Sequence, residues 1–135
     1  MVEWPQAVTA RRSIMLFLHG GLANALSLFT IIAALWGLLS AMRHRGVDSN
    51  YWGILAVAEI LALAQVLLGG LLYAGGARPE LTVHILYGAL LVFSLPLYYS
   101  LSKARNDRRA ALIYSLICLF MFAMSLRAIS TSSPL

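Results

Sequence analysis

Residues 14–42 read IMLFLHGGLANALSLFTIIAALWGLLSAM, a run without a single Asp, Glu, Lys or Arg. A helix rises about 1.5 Å per residue and a bilayer's hydrocarbon core is about 30 Å thick, so this run is a membrane span long enough to tilt or protrude. Three more stretches have the same character: residues 51–76, interrupted only by Glu59, residues 81–102, and the shorter residues 110–126. Composition points the same way, since 61% apolar residues, 11% charged residues and a mean hydropathy of +0.82 lie outside the range of soluble domains.

Lipid offers no partners to backbone N–H and C=O groups, so runs of this length must be helices. The sequence predicts an all-α integral membrane four-helix bundle, a single domain over 1–135 with spans at about 14–42, 51–76, 81–102 and 110–126. The intervening segments at 46–50, 75–79 and 103–109 carry Gly, Pro, Asn, Asp and basic residues and are short. Short connections make consecutive helices antiparallel neighbours, so the expected order is up-down-up-down with no room for a soluble domain. Residues 1–12 precede an apolar run longer than a signal-peptide core and lack a small-residue cleavage site, so the first span reads as retained.

A net charge of +5 here reports loop placement against a membrane rather than affinity for nucleic acid. Arg43, Arg45, Lys103, Arg105, Arg108 and Arg109 fall in the first and third loops, against Arg11, Arg12, Arg78 and Arg127 on the opposite side. The positive-inside rule then puts both termini outside a bacterial or archaeal cytoplasmic membrane. Cys118 is the only cysteine, which excludes an intrachain disulfide, a thiolate metal cluster and covalent haem attachment through a cysteine pair. The tyrosines and tryptophans gather toward span ends, as an interfacial aromatic belt does, and Pro96 is expected to bend the third helix.

His44 lies in a basic loop and reads as a solvated side chain. His19 and His84 are different, because each falls early in an apolar span, the first and the third, which run in the same direction. Both imidazoles are expected about 5 to 9 Å from the same membrane face. A lone membrane histidine is adequately used by an interhelical hydrogen bond, whereas two at one depth suit the axial positions of one iron. Gly20 and Gly21 follow His19, and Gly88 lies one turn after His84, leaving out bulk where a flat macrocycle would approach a helix. Glycines at such places also serve plain helix packing. These residues predict one haem b with His19 and His84 as its iron ligands.

The chain resembles one half of a haem A synthase. That family is built from two similar four-helix bundles, each with a histidine early in its first helix and another early in its third. His19 and His84 fit that arrangement, and Gln65-Val66-Leu67-Leu68-Gly69-Gly70 looks like the family's passage from second to third helix. The resemblance covers nearly the whole chain and implies a haem-binding bundle, alone or as part of an oligomer, since half-length members of the family assemble. Its catalytic half carries a glutamate three residues before the first histidine, where this sequence has Leu16. That departure favours electron transfer or an accessory role over catalysis.

Glu59 is the one acidic residue inside a span and is a candidate for proton relay, for contact with a quinone headgroup, or for a hydrogen bond to Asn24 or Thr30. Gln65, six residues on, is expected to share part of its face and reads as packing glue as readily as a ligand contact. Arg12 and Arg78 lie on the histidine side, where guanidinium groups would meet haem propionates, although basic residues at helix ends also serve as anchors. Two other classes remain: a cofactor-free accessory subunit of a respiratory or photosynthetic membrane complex, and a small multidrug-type exporter built around Glu59. The exporter reading lacks the acidic residue expected in the first helix.

Overall fold

The computed structural model describes residues 4–132. They form four helices: α1 (Trp4–Met42), α2 (Ser49–Ala74), α3 (Val83–Leu101) and α4 (Arg108–Ser130), and there is no strand among the described residues. All four are long and apolar enough to cross a membrane. The chain is an integral membrane protein of the all-α class.

The helices follow the apolar runs, with boundary shifts that have local causes. α1 begins ten residues earlier than the run at 14, because polarity ends a span without ending a helix. Pro5 sits in its first described turn, where a missing N–H costs little. α2 starts at Ser49 because Asp48 caps it, its carboxylate accepting from the Tyr51 N–H at 2.8 Å. It stops at Gly75, and Gly76 follows with φ of 91°, a backbone setting that glycine tolerates best. α4 runs four residues past its apolar stretch, through Arg127 to Ser130.

Each helix packs against two others, in the cyclic order α1, α2, α3, α4, leaving α1 and α3 on a diagonal. The closest seam is α1 against α4. Small residues make it possible: α1 buries Ser27, Thr30, Ala33, Ala34, Gly37 and Ala41 along one stripe, and α4 answers with Ala110, Ala111, Ser115 and Cys118. With lipid tails as apolar as leucine, close backbone approach and interhelical hydrogen bonds drive such association. The Ser27 and Ser125 hydroxyls bond at 2.7 Å, Ser115 donates to the Ala34 carbonyl, and Arg108 Nε donates to the Ala41 carbonyl at 2.7 Å. Rising residue numbers on α1 thus meet falling numbers on α4, so the two run antiparallel.

An aromatic cluster fills the end of the bundle near loops 1 and 3. The Trp52 ring meets Tyr99 at 5.7 Å and Tyr114 at 5.4 Å, and Tyr98 meets Tyr114 at 4.7 Å, all edge to face. The two loops are tied together by the Val47 N–H, which donates to the Asn106 carbonyl at 2.8 Å. At this end Tyr51 and Tyr114 are wholly buried, while Trp36, Tyr73 and Tyr99 stay exposed toward the helix ends.

Asp107 caps α4, accepting from the Ala110 N–H at 2.9 Å and from Arg105 Nε at 2.7 Å. The Ala110 amide, helped by Arg105, holds its carboxyl below the usual range. A pKa lower in the folded than in the unfolded chain means the cap stabilises fully above the unfolded value and is lost as pH falls through the folded one. Acidification through that window is expected to lower the unfolding temperature of the wild type more than that of Asp107→Asn, followed by circular dichroism in detergent. Equal shifts would show the cap to be silent.

Candidate functional site

His19 and His84 come together. Their ring centres are 6.1 Å apart at an interplanar angle of 66°, across the diagonal between α1 and α3. His19 lies fifteen residues into α1 as described, because that helix projects beyond the bundle, and His84 is the second residue of α3. Their shared level is set by the packing rather than by distance from the helix starts.

His84 Nδ1 lies 2.8 Å from the Ala128 carbonyl on α4. A carbonyl can only accept, so Nδ1 carries a proton and Nε2 is the nitrogen left for a further partner. The Thr131 hydroxyl stands 3.5 Å from the same Nδ1 and donates to the Arg127 carbonyl at 2.9 Å. α4 therefore orients the ring of His84 through the four residues by which it outruns its apolar stretch.

The His19 ring rests on α2. A Cβ on Gly69 would fall 3.2 Å from its Cε1, so only glycine leaves the ring its place at ordinary contact distance. Gln65, one turn before Gly69, donates from Nε2 to the His19 backbone carbonyl at 2.9 Å. His19 Nδ1 is buried and has no hydrogen-bond partner. Gln65 and Gly69 thus form a seat on α2 for His19. Gly69 is the contact that the sequence reading missed; its signal was the fourth position after Gln65 on one helical face.

The other glycines lie differently. A Cβ on Gly20 or Gly21 would meet no atom within 4 Å, so neither touches a neighbouring helix, while one on Gly88 would meet Val66 at 3.9 Å. Leu16 is 48% exposed. Arg12 is exposed, and Arg78 lies across the Tyr73 ring at 3.8 Å while donating to the Tyr73 and Ala77 carbonyls.

Glu59 and Gln65 do not share a face. Six residues turn a helix by about 600°, about 120° short of two full turns, and Gln65 points to α1. Glu59 instead belongs with Trp52 and Val66, seven residues to either side, which meet Tyr99 and Gly88 of α3. It makes no hydrogen bond to Asn24 or Thr30; its Oε2 is buried without a partner, and the Thr30 hydroxyl is bonded to the Leu26 and Ser27 carbonyls.

No family model, curated protein or solved structure matches this chain. Among the described residues no three His, Cys, Asp or Glu side chains gather as a bare metal site. An atom bound by both imidazoles at about 2 Å would set their ring centres about 6 Å apart. The 6.1 Å separation of the two rings, which meet edge to face, equals that spacing, and neither Nε2 of His84 nor Nδ1 of His19 is engaged in a hydrogen bond.

Proposed function

We propose that the protein is a b-type haem protein of the membrane, holding one haem between α1 and α3 through His19 and His84, for electron transfer or as a haem A synthase-like unit. The observation that carries this reading is the separation of the two imidazoles, 6.1 Å, with His84 bonded through Nδ1 so that Nε2 is left for a further partner. Held by His19 and His84, such a group would supply one-electron transfer and leave no position for oxygen.

The chain's own residues supply the rest. The Ala128 carbonyl orients His84, Gln65 and Gly69 seat His19, and Ser125 and Ala128 keep the facing part of α4 slim. Arg12 is the freer partner for a propionate, since Arg78 must first leave the Tyr73 ring. Leu16 offers no carboxyl for substrate chemistry, which favours electron transfer or an accessory role. Glu59 would serve a quinone or a proton from the α3 side of α2, away from the histidines. Assembly as a homo-oligomer or within a larger redox complex accords with one haem per chain. A cofactor-free accessory subunit is the second reading, favoured by the edge-to-face contact that the two imidazoles make with each other.

Absorption spectroscopy of the detergent-purified chain decides between them. Dithionite reduction should give the narrow bands of a low-spin b-type haem, at one haem per chain. A chain purified from haem-replete cells without a haem spectrum would leave the accessory reading.

The proposed orientation places both termini outside a bacterial or archaeal cytoplasmic membrane, with helices alternating in direction across it; the termini themselves lie outside the described residues. Cysteines placed at Gln6 and Ser132 in a Cys118→Ala background are expected to react with an impermeant thiol reagent from the periplasmic face. Labelling from opposite faces would contradict the span count, and labelling of both from the cytoplasm would reverse the orientation.

A further inference from the structure

The end of the bundle away from the histidines carries a groove that the haem reading does not use. It lies on the seam between the end of α1 and the start of α4, about 430 Å³ in volume, lined by Leu38, Ala41 and Met42 on one side and Arg108, Arg109 and Leu112 on the other. Its body is apolar and its cationic groups belong to the first turn of α4. Leu38, Met42 and Leu112 are exposed, while Ala41 is buried and gives a small floor.

Arg108 is held in place there. Its Nε donates to the Ala41 carbonyl at 2.7 Å, bridging the seam and leaving the two terminal nitrogens of the guanidinium for another acceptor. Six cationic side chains, Arg43, Arg45, Lys103, Arg105, Arg108 and Arg109, stand at this end of the bundle against two carboxylates, Asp48 and Asp107. Both carboxylates are engaged: each caps a helix, and Asp107 also takes Arg105, the one ion pair among the described residues. The positive charge at the groove is therefore not neutralised from within the chain.

An apolar groove edged by arginines at the end of a membrane span suits the charge and apolar chain of an anionic phospholipid of the adjoining leaflet. We infer that this groove binds such a lipid, with its phosphate on Arg108 and Arg109 and an acyl chain along Leu38 and Leu112. Arginine suits the phosphate because its planar fork donates two parallel hydrogen bonds. A second groove of comparable size, between α3 and α4, is lined from Ser94 to Leu101 and from Ile113 to Phe120 without a charged side chain, and has nothing to select a headgroup.

Native mass spectrometry of the full chain in detergent, titrated with phosphatidylglycerol and with phosphatidylcholine of the same acyl chains, tests the site. The wild type should retain phosphatidylglycerol with a preference of roughly tenfold. Arg108→Gln/Arg109→Gln should bring it within about twofold of phosphatidylcholine, while Lys103→Gln/Arg105→Gln, outside the groove, keeps most of the preference. Equal losses in the two double variants would mean diffuse attraction to a basic surface and would overturn the groove, as would a wild type without preference. Full displacement by excess inorganic phosphate would also overturn it, by showing that the acyl chain contributes nothing. Should loss of the Arg108 bond to Ala41 unfold the chain, Arg109→Gln and Leu112→Trp, which keep that bond, must each still reduce the preference for the site to stand.

Discussion

Replacing either His19 or His84 with alanine is expected to abolish the low-spin haem spectrum or convert it to a high-spin one. Removal of one axial ligand opens a coordination position on the iron, and water or an added ligand such as carbon monoxide then binds where the imidazole was. The two variants should differ in degree. His84 is held by Ala128 and stays oriented without its partner, so His19→Ala is expected to retain a high-spin haem. His19 has an unpartnered Nδ1 and depends on its seat against Gly69, so His84→Ala is expected to lose more of the haem outright. His44→Ala serves as the control and should leave the spectrum unchanged. An unaltered low-spin spectrum in both membrane-histidine variants, with the fold intact, would remove the pair from the iron.

Gly37→Ala is expected to destabilise the bundle by about 1–3 kcal/mol, the ordinary cost of forcing an extra carbon into a filled interior. The Tyr51 phenol of α2 lies directly against Gly37 on α1, and an added Cβ would overlap its hydroxyl and stand 2.7 Å from Cζ and 3.0 Å from Ser115 Cβ on α4. Tyr51 cannot retreat easily, being wholly buried. Gly53→Ala gives the opposite sign, because its Cβ would meet nothing within 4 Å, so the variant gains up to about 1 kcal/mol of helix propensity. Thermal unfolding of the two variants in one detergent compares them directly. A Gly37→Ala chain at least as stable as the wild type would mean that Tyr51 is not locked there.

The four helices were legible because each apolar run is long and the loops are marked by charge and turn residues. The helix extensions were not, since Trp4–Ser13 and Arg127–Ser130 are helical by continuation and capping, to which hydropathy is blind. The pairing of His19 with His84 followed from helix direction and depth. The residues that hold them did not, because Gly69 and Ala128 act through a missing side chain and a backbone carbonyl. Gly20 and Gly21, beside His19 in sequence, face open space, whereas the glycine that touches the His19 ring comes from the facing helix. The small-residue stripe from Thr30 to Ala41 was present in the quoted run as well, at helical spacing, and became meaningful only with α4 packed against it. Glu59 and Gln65 separated because 100° per residue does not bring positions six apart onto one face.

Electron paramagnetic resonance of the oxidised, purified wild-type chain reads the ligands of the iron. One low-spin ferric haem per chain is expected, with hyperfine couplings from two histidine nitrogens that are both altered when the histidines are labelled with ¹⁵N. A ferric haem that is high-spin, or a low-spin one coupled to a single histidine, would contradict ligation by His19 and His84.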